Sequence, residues 1–187
     1  NMMFWYSHLS PRAQKATQAQ MPRALFDQIV RCFCLSKDVS GTLVVIHSMH
    51  SAFGFAPDET TARMIVLQIA RLVGVPADTP KRRLRRLSST PRSKENIAQV
   101  SRLLELLGER KAENLRLQGL SLEQLDPREM EQYQLEIVAS LLRIVMSRAD
   151  ALDPVQVENK LQVAAKEMLA EHIDLGPPLG VDDSKLL

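Results

Sequence analysis

The feature that most constrains this chain is its punctuation. Proline and glycine cut the first part of the sequence into apolar-periodic blocks of roughly fifteen residues, too long for strands and right for short helices. Pro22 sits in the first turn of a block that runs to about Lys37, with Leu25, Phe26, Ile29, Val30 and Phe33 on one side. Asp38 and Ser40 are N-cap candidates for a second block to about Phe53, carrying Leu43, Val44, Ile46 and Met49. The run Gly54-Phe55-Ala56-Pro57-Asp58 closes it, glycine as a left-handed cap and proline to forbid continuation. Thr60 or Thr61 opens a third block through Met64, Ile65, Val66, Ile69 and Leu72, stopped by Gly74 and Pro76. Helices of this length joined by turns this short are expected to stack as antiparallel pairs.

Composition agrees with an all-α chain. Aromatics are 4% of the 187 residues and glycines only 7, too few for a sheet protein rich in tight turns. No run reaches the ~18–20 apolar residues of a membrane helix, so no membrane partner is expected. The fold class expected is stacked antiparallel helix pairs of helical-repeat type, followed by longer helices.

The rest of the chain divides at residues 76–93, which hold Pro76, Pro80, Pro91 and the run Lys81-Arg82-Arg83-Leu84-Arg85-Arg86. This segment is expected to be a basic linker between a repeat-like region, 1–75, and a helical region, 94–172. Within the latter, Ser93 is the expected cap of a helix ending at Gly108, followed by a polar piece to Gly119. Asp126-Pro127 with Glu129 then supplies an N-cap, a proline at the first helical position and a capping box. Asp153-Pro154 with Gln156 repeats the device, opening a last helix to about His172. Residues 173–187 have no pattern and are expected to be an extended tail.

Residues 24–75 resemble a unit and a half of the pentatricopeptide repeat, the helix–turn–helix module of organellar RNA-binding proteins. Phe26 stands at the family's first aromatic, Ile29-Val30 at its apolar pair, Phe33-Cys34 at its aromatic-Cys pair and Lys37-Asp38 at its polar turn. Thr42-Leu43 and Ile46 fit the second helix, Met49 its methionine, and Gly54 to Asp58 the closing Gly-x-x-Pro-Asp. The resemblance implies contact with single-stranded RNA, one base per repeat, through side chains at the positions of Asp27 and Asp58. Carboxylates there repel phosphate, so the unit is expected to serve as architecture. Arg63 occupies the position equivalent to Asp27 in the partial second repeat and suits phosphate.

Charge supports the same direction. Residues 1–100 carry 14 Lys and Arg against 6 Asp and Glu, whereas residues 101–187 carry 10 against 16. Lys81, Arg82, Arg83, Arg85 and Arg86, extended by Arg92 and Lys94, form a candidate phosphate-binding set. No aromatics lie nearby to stack on bases, so backbone contact is expected rather than base recognition. The first acid is Asp27, and the acid-free basic start is what mitochondrial leaders have, although Phe4-Trp5-Tyr6 suits an ordered segment better. The acidic second half, with Glu129, Glu131, Glu136, Glu158 and Glu167, is expected to meet basic protein neighbours.

Catalysis and cofactors find no support. His47 and His50 lie at i,i+3, but no Cys, Asp or Glu within a turn completes a metal site. No nucleophile elbow or glycine-rich phosphate loop occurs, so neither an enzyme nor a small-molecule substrate is expected. Cys32 and Cys34 point about 200° apart on a helix and are expected to be buried, reduced thiols. The sequence thus points to a non-catalytic RNA-associated helical protein of the mitochondrial matrix. Two placements fit it, a component of the mitochondrial ribosome and a transcript or translation factor docked to it. The competing expectation is a protein-binding scaffold subunit without RNA contact.

Overall fold

The computed structural model describes residues 23–70 and 91–178, with side chains from 94 onward in the second stretch. Among these residues the protein is all-α. Six α-helices lie among the described residues: α1 Arg23–Leu35, α2 Val39–Phe53, α3 Glu59–Ile69, α4 Pro91–Leu117, α5 Pro127–Ala149 and α6 Pro154–Glu167. A single 3-10 turn, Leu122–Gln124, lies between α4 and α5. No described helix is long and apolar enough to cross a membrane.

Local chemistry sets most of the helix starts. The Asp38 carboxylate accepts from the Gly41 N–H at 2.7 Å and Asp58 from the Thr61 N–H at 2.8 Å. The helices headed by Pro127 and Pro154 carry full capping boxes, Asp126 with Glu129 and Asp153 with Gln156. Gly54 ends α2 at φ 69°, and the following Phe55 packs against Phe26 and Phe53.

The second helix organises the core. It contains no charged residue and is buried without a break from Ser40 to Met49, as expected for a helix covered on all sides. α1, α5 and α6 cover it, while α3 bridges α1 to α4 and α4 packs on α5. One apolar cluster unites Phe26, Val30, Leu43 and Ile46 with Leu103, Leu141, Leu142 and Leu161. Regions 1–75 and 94–172 therefore share one core in their described parts. This packing of several helices is consistent with the helical-repeat-like arrangement expected from sequence, with α2 also meeting α5 and α6.

Several boundaries differ from the sequence expectation. α4 begins at Pro91, inside the expected linker, and runs through Gly108 to Leu117 with no polar break. Tyr133 Oη donates to the Gly108 carbonyl at 2.9 Å, and the Ile137 side chain lies beside the same residue, so α5 supports the helix there. The last helix stops at Glu167 instead of His172 because Leu169 turns left-handed, φ 55°. Residues 173–178 are not a free extended tail: Leu175 is buried, and its carbonyl accepts from Arg143 Nη2 at 2.9 Å. This strap crosses α2 at His47, with Gly176 close to the imidazole ring. Leu25, expected in the apolar stripe of α1, is exposed; the stripe is instead Phe26, Val30 and Cys34.

Candidate functional site

Residue 27 on α1 and residue 58 at the start of α3 lie far apart in sequence, yet the packing of these helices joins them through one hydroxyl. Thr61 Oγ1 lies 2.9 Å from Asp27 Oδ1 and 2.9 Å from Asp58 Oδ1. Arg23 Nη2 donates to the same oxygen at 2.9 Å and lies 3.3 Å from Asp58 Oδ2. The hydroxyl has one proton, so it serves one carboxylate at a time, while the guanidinium offsets one of the pair's two negative charges. Arg23 also stands over the rings of Phe26 and Phe55, at 4.9 and 5.9 Å from their centroids, which holds the guanidinium in place. Partial burial pushes the Asp58 carboxyl up. The Thr61 N–H and hydroxyl and then Arg23 outweigh it, and the net direction is down. Both carboxylates are thus engaged within the fold and offer no donor to a base edge.

The candidate phosphate ligands divide differently. Lys81, Arg82, Arg83, Arg85 and Arg86 lie outside the described residues, as does the side chain of Arg92. Arg63 on α3 and Lys94 on α4 are exposed. α3 and α4 pack together, and Asn96 Nδ2 reaches the Ala70 carbonyl at 3.4 Å. Ala70, the last described residue before that segment, is thus in contact with the helix that follows it. Arg31 on α1 is a further exposed cation, absent from the set expected from sequence. Nothing in local sequence separates it from a paired arginine such as Arg23.

The acidic residues of the second half are mostly spent within the protein. Glu129 accepts from the Asp126 N–H at 2.9 Å in the capping box. Glu136 pairs with Lys111 and accepts from Gln132 Nε2. Glu158 Oε1 lies 2.7 Å from Nε of Arg143, whose side chain is 2% exposed. Glu131 is half-buried, and Glu167 is fully at the surface.

The two histidines separate. His50 is half-exposed, whereas His47 is buried with no hydrogen-bond partner at Nε2. Burial and the nearby Arg143 charge lower the His47 pKa to about 4, with Asp174 opposing and His50 adding a little. The thiols separate too. Cys34 is buried beside Thr42 Oγ1 and pushed up to about 11 by that burial, while Cys32 is exposed, contrary to expectation. No group of three or more His, Cys, Asp or Glu with metal-binding geometry occurs among the described residues. Comparison with protein-family models, with curated proteins and with solved structures found no match to this chain.

Proposed function

We propose that the protein is a non-catalytic, RNA-associated helical protein of the mitochondrial matrix. It would serve there as a structural component of the ribosome or as a transcript or translation factor docked to it. The observation that carries this reading is the concentration of cations on one connection. Five lie within residues 81–86, and the connection is flanked by the exposed Arg63 and Lys94 on two helices that pack together. Such a set neutralises several phosphates along a backbone and releases their counterions. The resemblance of residues 24–75 to an organellar RNA-binding repeat supports the same partner. Because Asp27 and Asp58 are tied to Arg23 and Thr61, the repeat unit acts as architecture and the cations make the contact.

The direct test is salt dependence. Binding of the full chain to single-stranded RNA should weaken linearly in log–log form with salt concentration. Replacing Arg82, Arg83, Arg85 and Arg86 by Gln should reduce the slope by about 0.7 for each phosphate that is no longer neutralised. An unchanged slope would remove the RNA reading. The companion test is recovery of the tagged chain from a mitochondrial lysate with and without ribonuclease. Ribonuclease-sensitive capture of RNA supports the proposal. A defined, RNA-free protein complex would favour the scaffold reading.

A further inference from the structure

The strap that follows α6 is held to the body of the protein by few groups. Leu169, at φ 55°, and the Ala170 N–H, which donates to the Ala165 carbonyl at 2.8 Å, turn the chain out of the helix. Residues 174–178 then form neither helix nor strand. Their hold is the buried Leu175 side chain, the Leu175 carbonyl that accepts from Arg143 Nη2, and the Asp174 backbone, to which the His47 ring donates. The Asp174 carboxylate is spent within the strap, accepting from the Gly176 N–H at 2.9 Å. Gly176 itself, at φ 74°, lies against the ring, where a Cβ would stand 3.4 Å from His47 Cε1. A segment tied by so few buried contacts opens locally at a fraction of the cost of unfolding the core.

Beneath it lies a histidine that the closed strap leaves half-satisfied. His47 is 4% exposed, and its Nε2 has no partner. The donor to Asp174 is therefore Nδ1, and a second proton would sit on Nε2, buried and without an acceptor. The ionisable groups that act on the ring come from three elements. Arg143 of α5, whose charge is met by Glu158 of α6, repels the proton, and His50, one turn along α2, adds a little. Asp174 of the strap attracts it, but that residue is exposed to water. Burial opposes protonation first and Arg143 second, and Asp174 offsets them only in part. Lifting the strap hydrates Nε2 and so removes the largest of these costs.

We propose that the strap is an acid-released latch: protonation of His47 drives residues 173–178 off α2, withdrawing Leu175 from the core and its carbonyl from Arg143. The direction follows from linkage, because a proton that binds the open form more tightly shifts the population toward it. The latch is closed above pH 6.5 and opens progressively as pH falls toward 4. The proposal does not depend on RNA binding by the basic connection.

The test follows the Leu175 methyl groups of the full chain by carbon-13 NMR, with relaxation dispersion to detect a minor exposed state in exchange with the buried one. The ratio of open to closed strap should rise roughly twentyfold between pH 7 and pH 5 if the ring titrates at about 4 when covered and at the ordinary 6.5 when free. The change should follow the titration of the His47 ring in the same sample, while the methyl signals of Leu43 and Leu142 in the core stay in place. His47→Gln should abolish the response. His50→Gln and His172→Gln, which remove the neighbouring imidazoles, should preserve it. An open state absent at pH 5, a strap midpoint that departs from the His47 titration, a response that survives His47→Gln, or loss of the core signals in step with Leu175 would each overturn the proposal. The comparison of strap and ring in the unaltered chain stands even if His47→Gln fails to fold.

Discussion

At the scale of single residues, two positions in α2 hold more than their types suggest. Gly41 is one. A Cβ there would lie 2.7 Å from Asp38 Cγ and 2.7 Å from Phe33 Cδ1. Those are the carboxylate that caps α2 and the ring packed beneath the turn. Gly41→Ala should therefore displace the cap, worth about 1 kcal/mol, and overpack the turn by a further ~1–2 kcal/mol. Urea unfolding should show a lower midpoint without a change of slope. His47 is the other. Its folded pKa of about 4 lies below the ordinary 6.5, so the unfolded chain takes up the proton first. Its contribution is complete above pH 6.5 and is lost as pH falls toward 4, about 3 kcal/mol in all. His47→Leu should flatten that part of the stability–pH curve, as urea titrations at pH 7, 5.5 and 4 would show.

At the scale of elements, what the sequence disclosed depended on whether the signal was local. The starts at Asp38, Asp126 and Asp153 were legible because an N-cap needs only its own turn; α3, expected to open at Thr60 or Thr61, instead starts at Glu59 with Asp58 as its cap. The ends were not legible. α1, α5 and α6 finish in Schellman motifs whose left-handed residues are Lys37, Ala151 and Leu169, at φ 65°, 52° and 55°, where glycine is the usual marker. Gly108 gave the opposite error. It looks like a stop, yet it lies inside α4 with only the Ile137 side chain 3.9 Å from a built Cβ. The candidate site was legible as a charge pattern but not as a network. That Arg23 and Thr61 bind Asp27 and Asp58 follows from packing α1 against α3, which no local window contains. These two glycine errors yield paired predictions of the same sign. Gly108→Ala should stabilise by about 0.5–1 kcal/mol through helix propensity. Ala151→Gly should stabilise by a similar amount, since relief of the left-handed strain exceeds the entropy that glycine adds to the unfolded chain. Thermal melting of each variant and of the pair checks both; at separate sites the effects should add.

At the scale of the whole molecule, the protein is tied together at Arg143, whose side chain is 2% exposed on α5. It reaches Glu158 on α6 and the Leu175 carbonyl on the strap, and the strap in turn lies over His47 on α2. Sequence reasoning missed this centre because Arg143 stands within the apolar stripe of α5, where a cation looks like a surface residue. Glu158→Ala leaves a buried guanidinium short of its counter-charge and should cost about 3 kcal/mol, whereas Arg143→Met combined with Glu158→Leu should cost much less. Denaturant midpoints of the three proteins decide it. The strap makes a sharper prediction, because it couples this centre to the His47 equilibrium. A chain ending at His172 loses the burial of Leu175, about 1.5–3 kcal/mol, and the carbonyl that accepts from Arg143. It also opens His47 to water, so its pKa should rise toward 6.5 and the acid-sensitive part of the stability curve should shrink. The truncated protein should thus be less stable at pH 7 yet lose less on going to pH 4. An imidazole titration by NMR in both chains separates the causes: an unshifted His47 pKa after truncation would mean that α2, α5 and α6 alone exclude water from it.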